Sequence, residues 1–170
     1  AAAAKAAEAM IGSQSFAPAN RVDECRQLAA GRWNQHYVEN LRNYHDRRYL
    51  QNEYPTLLRS AGEEGTAAVI LETGCGVGNT LLPLLALSPG LRAFGCDHAD
   101  FAVAKANERL EREQLQARGC AFVWDIGLPP PSGQLPAHGV DTVLAIFTLS
   151  ALPPEALPAA FGHLARVLRP

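Results

Sequence analysis

The segment Val69-Ile70-Leu71-Glu72-Thr73-Gly74-Cys75-Gly76-Val77-Gly78-Asn79 constrains the fold of this chain more than any other. An apolar run ends in a carboxylate, and three glycines follow at alternate positions. Such a run reads as a buried strand that opens into a loop with accessible main chain, because glycine has no Cβ to keep a ligand away. What the loop lacks narrows its chemistry. A triphosphate cradle needs Lys and then Ser or Thr after its last glycine, whereas Asn79 and Thr80 follow Gly78. The dinucleotide fingerprint needs its third glycine at position 79, which is Asn. Phosphate ligands are therefore disfavoured. A glycine-rich strand-to-helix turn without a ligand is the alternative.

Two further strands end in the same way. Leu91-Arg92-Ala93-Phe94-Gly95-Cys96 runs into Asp97, and Cys120-Ala121-Phe122-Val123-Trp124 runs into Asp125. Asp97 lies 23 residues beyond Gly74, close to the spacing of about 20 at which a βαβ unit places an acidic residue on ribose hydroxyls. Its other reading is the N-cap of the next helix, a role that Asp100 could also fill. Three strands ending in Glu72, Asp97 and Asp125 are hard to ascribe to chance. Ligands of open α/β sheets bind beyond the carboxyl ends of the strands.

The order from residue 63 onward is strand, helix, strand, helix, strand, loop, strand, helix, which predicts an α/β parallel sheet. The expected helices run from Asn79 or Thr80 to about Leu87, from Ala99 to Ala117 and from Pro154 to Leu168. Glu108–Glu113 reads as a solvated face, and Val140–Ile146 as the fourth strand. Residues 1–20 read as a tail or linker. Residues 21–62 read as a helical segment, with helical composition over 21–30 and 33–59, before a break at Gly62-Glu63-Glu64-Gly65. At 170 residues with 48% hydrophobic and 19% charged side chains, the chain holds one globular domain or a little less. A fourth strand without further strands leaves an apolar edge. The expectation is a sheet truncated after that strand and its helix, its edge covered by a protein partner or by more chain.

Cys25, Cys75, Cys96 and Cys120 have no CxxC spacing and read as small buried thiols in a reducing, intracellular compartment, the cytoplasm first. The five histidines lack ligand spacing, so no metal is expected. No apolar run is long enough for a membrane span. A net charge of −2 gives no general attraction for nucleic acid. The local exception is Arg42, Tyr44, Arg47, Arg48 and Tyr49, where basic and aromatic residues interleave as an RNA-binding patch would. A solvated helix face, with Asp46 and Glu53 as ion-pair partners, is the alternative.

An acidic residue followed two positions on by GxGxG resembles motif I of the class I S-adenosylmethionine-dependent methyltransferases. Two flanking segments narrow the resemblance. One is Trp33-Asn34-Gln35-His36-Tyr37 with Tyr44-His45-Asp46-Arg47-Arg48-Tyr49-Leu50-Gln51-Asn52-Glu53-Tyr54-Pro55. The other is Ile146-Phe147-Thr148-Leu149-Ser150-Ala151-Leu152-Pro153-Pro154. Together with the glycine loop they resemble the tRNA 3-methylcytidine methyltransferase family over about residues 33–170. Departures are His45 in place of the usual lysine, a slightly shorter spacing between Trp33 and Asp46, and His98-Ala99-Asp100-Phe101 where the family tends to Phe-Ser-Pro-Arg.

The resemblance implies a Rossmann-like methyltransferase fold that binds S-adenosyl-L-methionine and acts on tRNA. Gly74 and Gly76 would hold the methionine part, with Glu72, Cys75 and Asn79 beside them. Asp97 and His98 would lie at the ribose, and Asp125 with the Ile126 amide at the adenine edge. Trp33 and Tyr37 would close over the cofactor, or else form the apolar face of a packed helix. Phe147 would border the transfer pocket, or else be a core residue. Two other functions stay open from the residues alone: a small-molecule or protein methyltransferase, and a non-catalytic methyltransferase-like subunit of a larger assembly.

Overall fold

The computed structural model describes residues 19–40, 45–55 and 68–169. Helix α1 (Ala19–Glu39) and the short α2 (Leu50–Glu53) precede β1 (Ala68–Thr73), α3 (Leu81–Leu87), β2 (Leu91–Asp97), α4 (Asp100–Arg112) and β3 (Gly119–Val123). Strand β4 (Thr142–Ala145), two single 3-10 turns and α5 (Leu157–Val167) follow. The strands form one parallel sheet in the order β3-β2-β1-β4. The chain winds outward from β1 to β3, then crosses back to the other side of β1. That reversal makes a crevice at the carboxyl ends of β1 and β4, where open α/β sheets bind their ligands.

Every residue of β1 is buried, as a central parallel strand covered on both faces requires. Side chains alternate between faces. Ala68 and Ile70 join Leu81, Leu82, Leu84, Leu85 and Leu110 beneath α3 and α4. Val69 and Leu71 join Phe122, Trp124, Ala160, Leu164 and Val167 beneath α5. Each fully buried leucine contributes about 1.5–3 kcal/mol. By the same alternation, Glu72 falls on the α3 face, under the start of that helix. Pro83 sits in the first turn of α3, where its missing N–H costs no helical bond.

Some elements differ from the sequence expectation. Helix α1 runs unbroken through Gly31 and Arg32, with open space around Gly31. It takes in Ala19 and Asn20, which the sequence expectation assigns to the tail or linker. Helix α4 stops at Arg112 because Gln114 turns left-handed, at φ +58°. The Leu115 amide then closes on the Leu110 carbonyl at 2.8 Å, and Leu115 is buried. The expected 33–59 helix is broken: α1 ends at Glu39, residues 45–49 are not helical, and only the four residues of α2 resume a helix. Residues 1–18, 41–44 and 56–67, which include the break at 62–65, lie outside the described residues. Among the described residues β3 and β4 are the sheet edges. The Asn107 side chain covers part of the β3 edge by pairing with both the Ala121 amide (2.8 Å) and carbonyl (2.9 Å). All four residues of β4 are half-buried.

Candidate functional site

The glycine loop leaves β1 at Thr73 and needs its glycines. Gly74 and Gly76 have φ of +62° and +53°. A Cβ on Gly74 would lie 2.3 Å from Thr148 Oγ1, and one on Gly76 would lie 2.6 Å from the Tyr37 hydroxyl. Asp97 ties the loop to β2. Its Oδ2 accepts from the Gly76 amide at 2.8 Å and its Oδ1 from the Ala99 amide at 2.9 Å. Asp97 is thus a brace between two loops and not a helix cap, for the N-cap of α4 is Ala99 with no side-chain cap bond. Burial raises the Asp97 pKa against the lowering effect of these two amides. Its carboxylate keeps lone pairs for hydroxyl donors.

Glu72 is the site's unsatisfied group. It is 1% exposed, and no hydrogen bond reaches Oε1 or Oε2. The nearest cation is Arg47, whose Nη1 is 3.7 Å from Oε1. Burial pushes the Glu72 pKa up to about 8, although Thr80, Arg47 and the Leu81 amide pull it down. Thr80 and Leu81 lie nearby without meeting hydrogen-bond geometry. A buried carboxyl group without a hydrogen-bond partner holds its proton near neutrality. In the fold Glu72 keeps its proton up to about pH 8, against an ordinary value of 4.5. Between those values the native state binds more protons than the unfolded chain, so stability falls as pH rises. Glu72→Gln is expected to flatten this part of the Tm-versus-pH curve. Scanning calorimetry from pH 5 to 9 checks it, and an unchanged slope would refute it.

Cys75 faces away from the crevice. Its amide bonds the Cys96 carbonyl at 3.0 Å, and its thiol packs with Val103, Ala106 and Ala121. Burial holds the Cys75 and Cys96 thiols protonated. Cys75, Cys96 and Cys120 are free. The Asn79 side chain is also directed away from the crevice, its Oδ1 accepting from Arg109 Nη1 at 2.8 Å. His98 is half-buried beside Asp97.

Beyond β3, Asp125 Oδ1 accepts from the Gly127 amide at 2.9 Å, and Trp124 Nε1 donates to the Leu128 carbonyl at 2.9 Å. His163 Nδ1 lies 3.0 Å from the Ile126 carbonyl. These bonds fix the Asp125-Ile126 turn. The Ile126 side chain itself belongs to the core.

Trp33 and Tyr37 pack with Val77, Ala99, Ala102 and Phe101, which agrees with an apolar helix face. Tyr37 also covers Gly76, so the same residue reaches the loop. Asn34 completes this docking: its Oδ1 accepts from the Phe101 amide at 3.1 Å. Phe147 is 78% exposed at φ +58°, beyond the end of β4, which removes its reading as a core residue. Thr148 Oγ1 donates to the Thr73 carbonyl at 2.7 Å and Ser150 Oγ to the Phe147 carbonyl at 3.1 Å, and these bonds hold the turn.

The basic segment divides. Arg42 and Tyr44 lie outside the described residues. Arg47 turns inward, which corrects the expectation that it faces solvent. Its amide donates to the Asn79 carbonyl at 2.7 Å and its Nη1 to Thr80 Oγ1 at 2.9 Å. Arg48 and Tyr49 are exposed. Asp46 pairs with Arg109 at 2.9 Å. Arg109 departs from the solvated face expected over 108–113: its side chain is 19% exposed and bonded to the loop and to Asp46. The available signal was its place beside Ala106 and Leu110, on the flank of the buried stripe of α4. Among the described residues no group of three metal-ligating side chains occurs, and no helix is long and apolar enough to cross a membrane.

A parallel sheet that reverses at β1, a glycine loop at the reversal and carboxylates closing three successive strands define a class I methyltransferase domain. The chain belongs to the methyltransferase domain family, which residues 71–170 match. Among curated proteins it is similar to a tRNA N(3)-cytidine methyltransferase of Danio rerio, 32% identical over 186 residues, covering 90% of this chain and 52% of the relative. It is 36% identical over 146 residues to the tRNA(Thr) (cytosine(32)-N(3))-methyltransferase of Saccharomyces cerevisiae, covering 81% of this chain and 22% of that one. A human tRNA N(3)-cytidine methyltransferase is 32% identical over 147 residues, with 85% and 50% covered. The chain thus spans about half the length, or less, of these relatives. Among solved structures, magnesium protoporphyrin IX methyltransferase from Synechocystis PCC 6803 with bound SAM superposes with a TM-score of 0.60 at 17% identity, covering 91% of this chain and 74% of that one. The glycopeptide N-methyltransferase MtfA complexed with sinefungin gives 0.59 at 17%, with 75% and 47% covered. At such identities these two show the fold alone.

Proposed function

We propose that this chain carries the cofactor-binding half of an S-adenosylmethionine-dependent tRNA methyltransferase that acts on cytidine N3. The observation that carries the cofactor reading is Glu72, a buried carboxyl with no hydrogen-bond partner for either oxygen, beneath the glycine loop. A cationic ammonium group at this position satisfies it and draws off its proton. Asp97 accepts ribose hydroxyls with the lone pairs its amide bonds leave. Asp125 and the Ile126 amide meet the adenine edge. When bound, S-adenosylmethionine supplies an electrophilic methyl group on sulfonium. What supports the tRNA reading is the likeness to the tRNA cytidine methyltransferases, extending over most of this chain.

Cytosine N3 has a free lone pair at neutral pH, so transfer needs no strong general base. The residues instead align donor and acceptor and offer a field suited to a cation that moves from sulfur to the base. N3 lies on the Watson–Crick edge, which must be unpaired or flipped out. Phe147, held exposed beside the loop, offers a face for stacking on such a base. Arg48 and Tyr49 lie on the RNA side of the segment that docks on the loop. The open edge of β4 takes further strands, from the same protein or from a partner.

Arg48→Glu is expected to weaken tRNA binding by about tenfold at moderate salt and to lower the slope of log affinity against log salt by about 1. S-adenosylhomocysteine affinity should stay the same. Filter binding at several salt concentrations checks this, and an unchanged slope would exclude the patch.

A further inference from the structure

Arg109 lies on α4 but bonds to two other parts of the molecule. Its Nη1 donates to the Val77 carbonyl at 3.0 Å and to Asn79 Oδ1 at 2.8 Å. Its Nη2 donates to Asp46 Oδ1 at 2.9 Å. One guanidinium thus joins the glycine loop to the 45–48 segment. The planar fork allows it, since several N–H groups diverge from a single rigid group. The Arg109 side chain is 19% exposed and that of Asp46 33%, so the contact is partly screened by solvent.

The next residue shows what the contact does. Arg47 donates its amide to the Asn79 carbonyl and its side chain to Thr80, with Nη1 3.7 Å from Glu72. Asn79 is therefore gripped from two sides, by Arg109 through its side chain and by Arg47 through its carbonyl. Asp46, held by Arg109, sets the position from which Arg47 reaches Glu72. Buried Leu50 is a second anchor of this segment.

We infer that Arg109 is a positioning residue: it fixes the glycine loop and, through Asp46, delivers Arg47 to Glu72. Its assigned role is support of the loop and segment, not contact with substrate or reacting atoms. The inference rests on the cofactor reading of the loop, and it extends that reading to a residue whose work is the shape of the loop.

The test uses the full-length protein with Arg109→Met, which keeps the aliphatic stem, Arg109→Lys and Asp46→Asn. Arg109→Met is expected to raise the S-adenosylmethionine KM by about tenfold or more, with kcat at saturation within about threefold. Arg109→Lys, able to serve some of the acceptors, should recover part of the loss. Asp46→Asn combined with Arg109→Met should be no worse than Arg109→Met alone, because the Arg109–Asp46 contact is already lost in the single variant. Hydrogen exchange at the Arg47 amide, measured without ligand, should quicken by about tenfold in Arg109→Met. Unchanged KM and exchange, or a fall in Tm with no selective KM effect, would overturn the inference. If the unaltered protein fails to bind S-adenosylhomocysteine, the cofactor reading falls, while the exchange experiment still decides whether Arg109 holds the segment.

Discussion

Asp97→Ala is expected to weaken S-adenosylhomocysteine binding by about 100-fold or more, the largest loss of any single carboxylate in the crevice. The side chain does two jobs at once. It accepts from the Gly76 amide at 2.8 Å and from the Ala99 amide at 2.9 Å, and it is 7% exposed. Truncation leaves both amides without their partner, at about 1–3 kcal/mol for each buried group. The bonds to ribose hydroxyls proposed for the same carboxylate would be lost with it. A loss of about 3 kcal/mol in binding corresponds to roughly a 100-fold rise in Kd. Asp97→Asn keeps one acceptor oxygen but turns an NH2 toward the other amide, so its loss should be intermediate. Isothermal titration calorimetry reads both variants. An alanine variant within threefold of the unaltered protein would remove Asp97 from the site.

Gly74→Ala is expected to cost stability as well as binding, and to cost more than Gly76→Ala. Both positions are left-handed, where an L side chain costs about 1–2 kcal/mol. The neighbours decide the difference. At Gly74 a Cβ meets Thr148 Oγ1, Cγ2 and Cβ at 2.3, 2.8 and 3.0 Å. Thr148 cannot yield easily, because its hydroxyl is bonded to the Thr73 carbonyl at 2.7 Å. At Gly76 the Cβ meets the Tyr37 hydroxyl at 2.6 Å and its ring at 3.2 and 3.3 Å, looser throughout than the contacts at Gly74. With overpacking adding about 1–3 kcal/mol, Gly74→Ala should cost about 2–5 kcal/mol and lower Tm by roughly 5–15 °C. A smaller loss at Gly74 than at Gly76 would contradict the role given to Thr148.

The strand ends were legible because each apolar run stops at a charged side chain. Glu72, Asp97 and Asp125 mark the carboxyl edge of the sheet without any knowledge of its packing. The glycine loop was legible for a similar reason, since its spacing disfavours phosphate cradles. The inward turn of Arg47 was not legible. Residues 45–48 form no periodic element that would tell one face from another, and only the Asn79 carbonyl and Thr80 hydroxyl, some 30 residues on, reveal the direction. Arg109 was hidden by composition, because a charged run on a helix ordinarily faces water. The early end of α4 turned on Leu115, a long-range packing choice that local propensity does not contain. The pairing of Phe147 with a left-handed backbone also escaped the sequence, since φ there is set by the Thr148 and Ser150 hydrogen bonds and not by residue type.

The most direct measurement is mass-spectrometric mapping of tRNA incubated with the full-length protein and S-adenosylmethionine. N3-methylcytidine at an unpaired position is the predicted product, and it should disappear in Asp97→Ala. Tight binding of S-adenosylhomocysteine and tRNA without N3-methylcytidine on any tRNA would contradict the proposed activity.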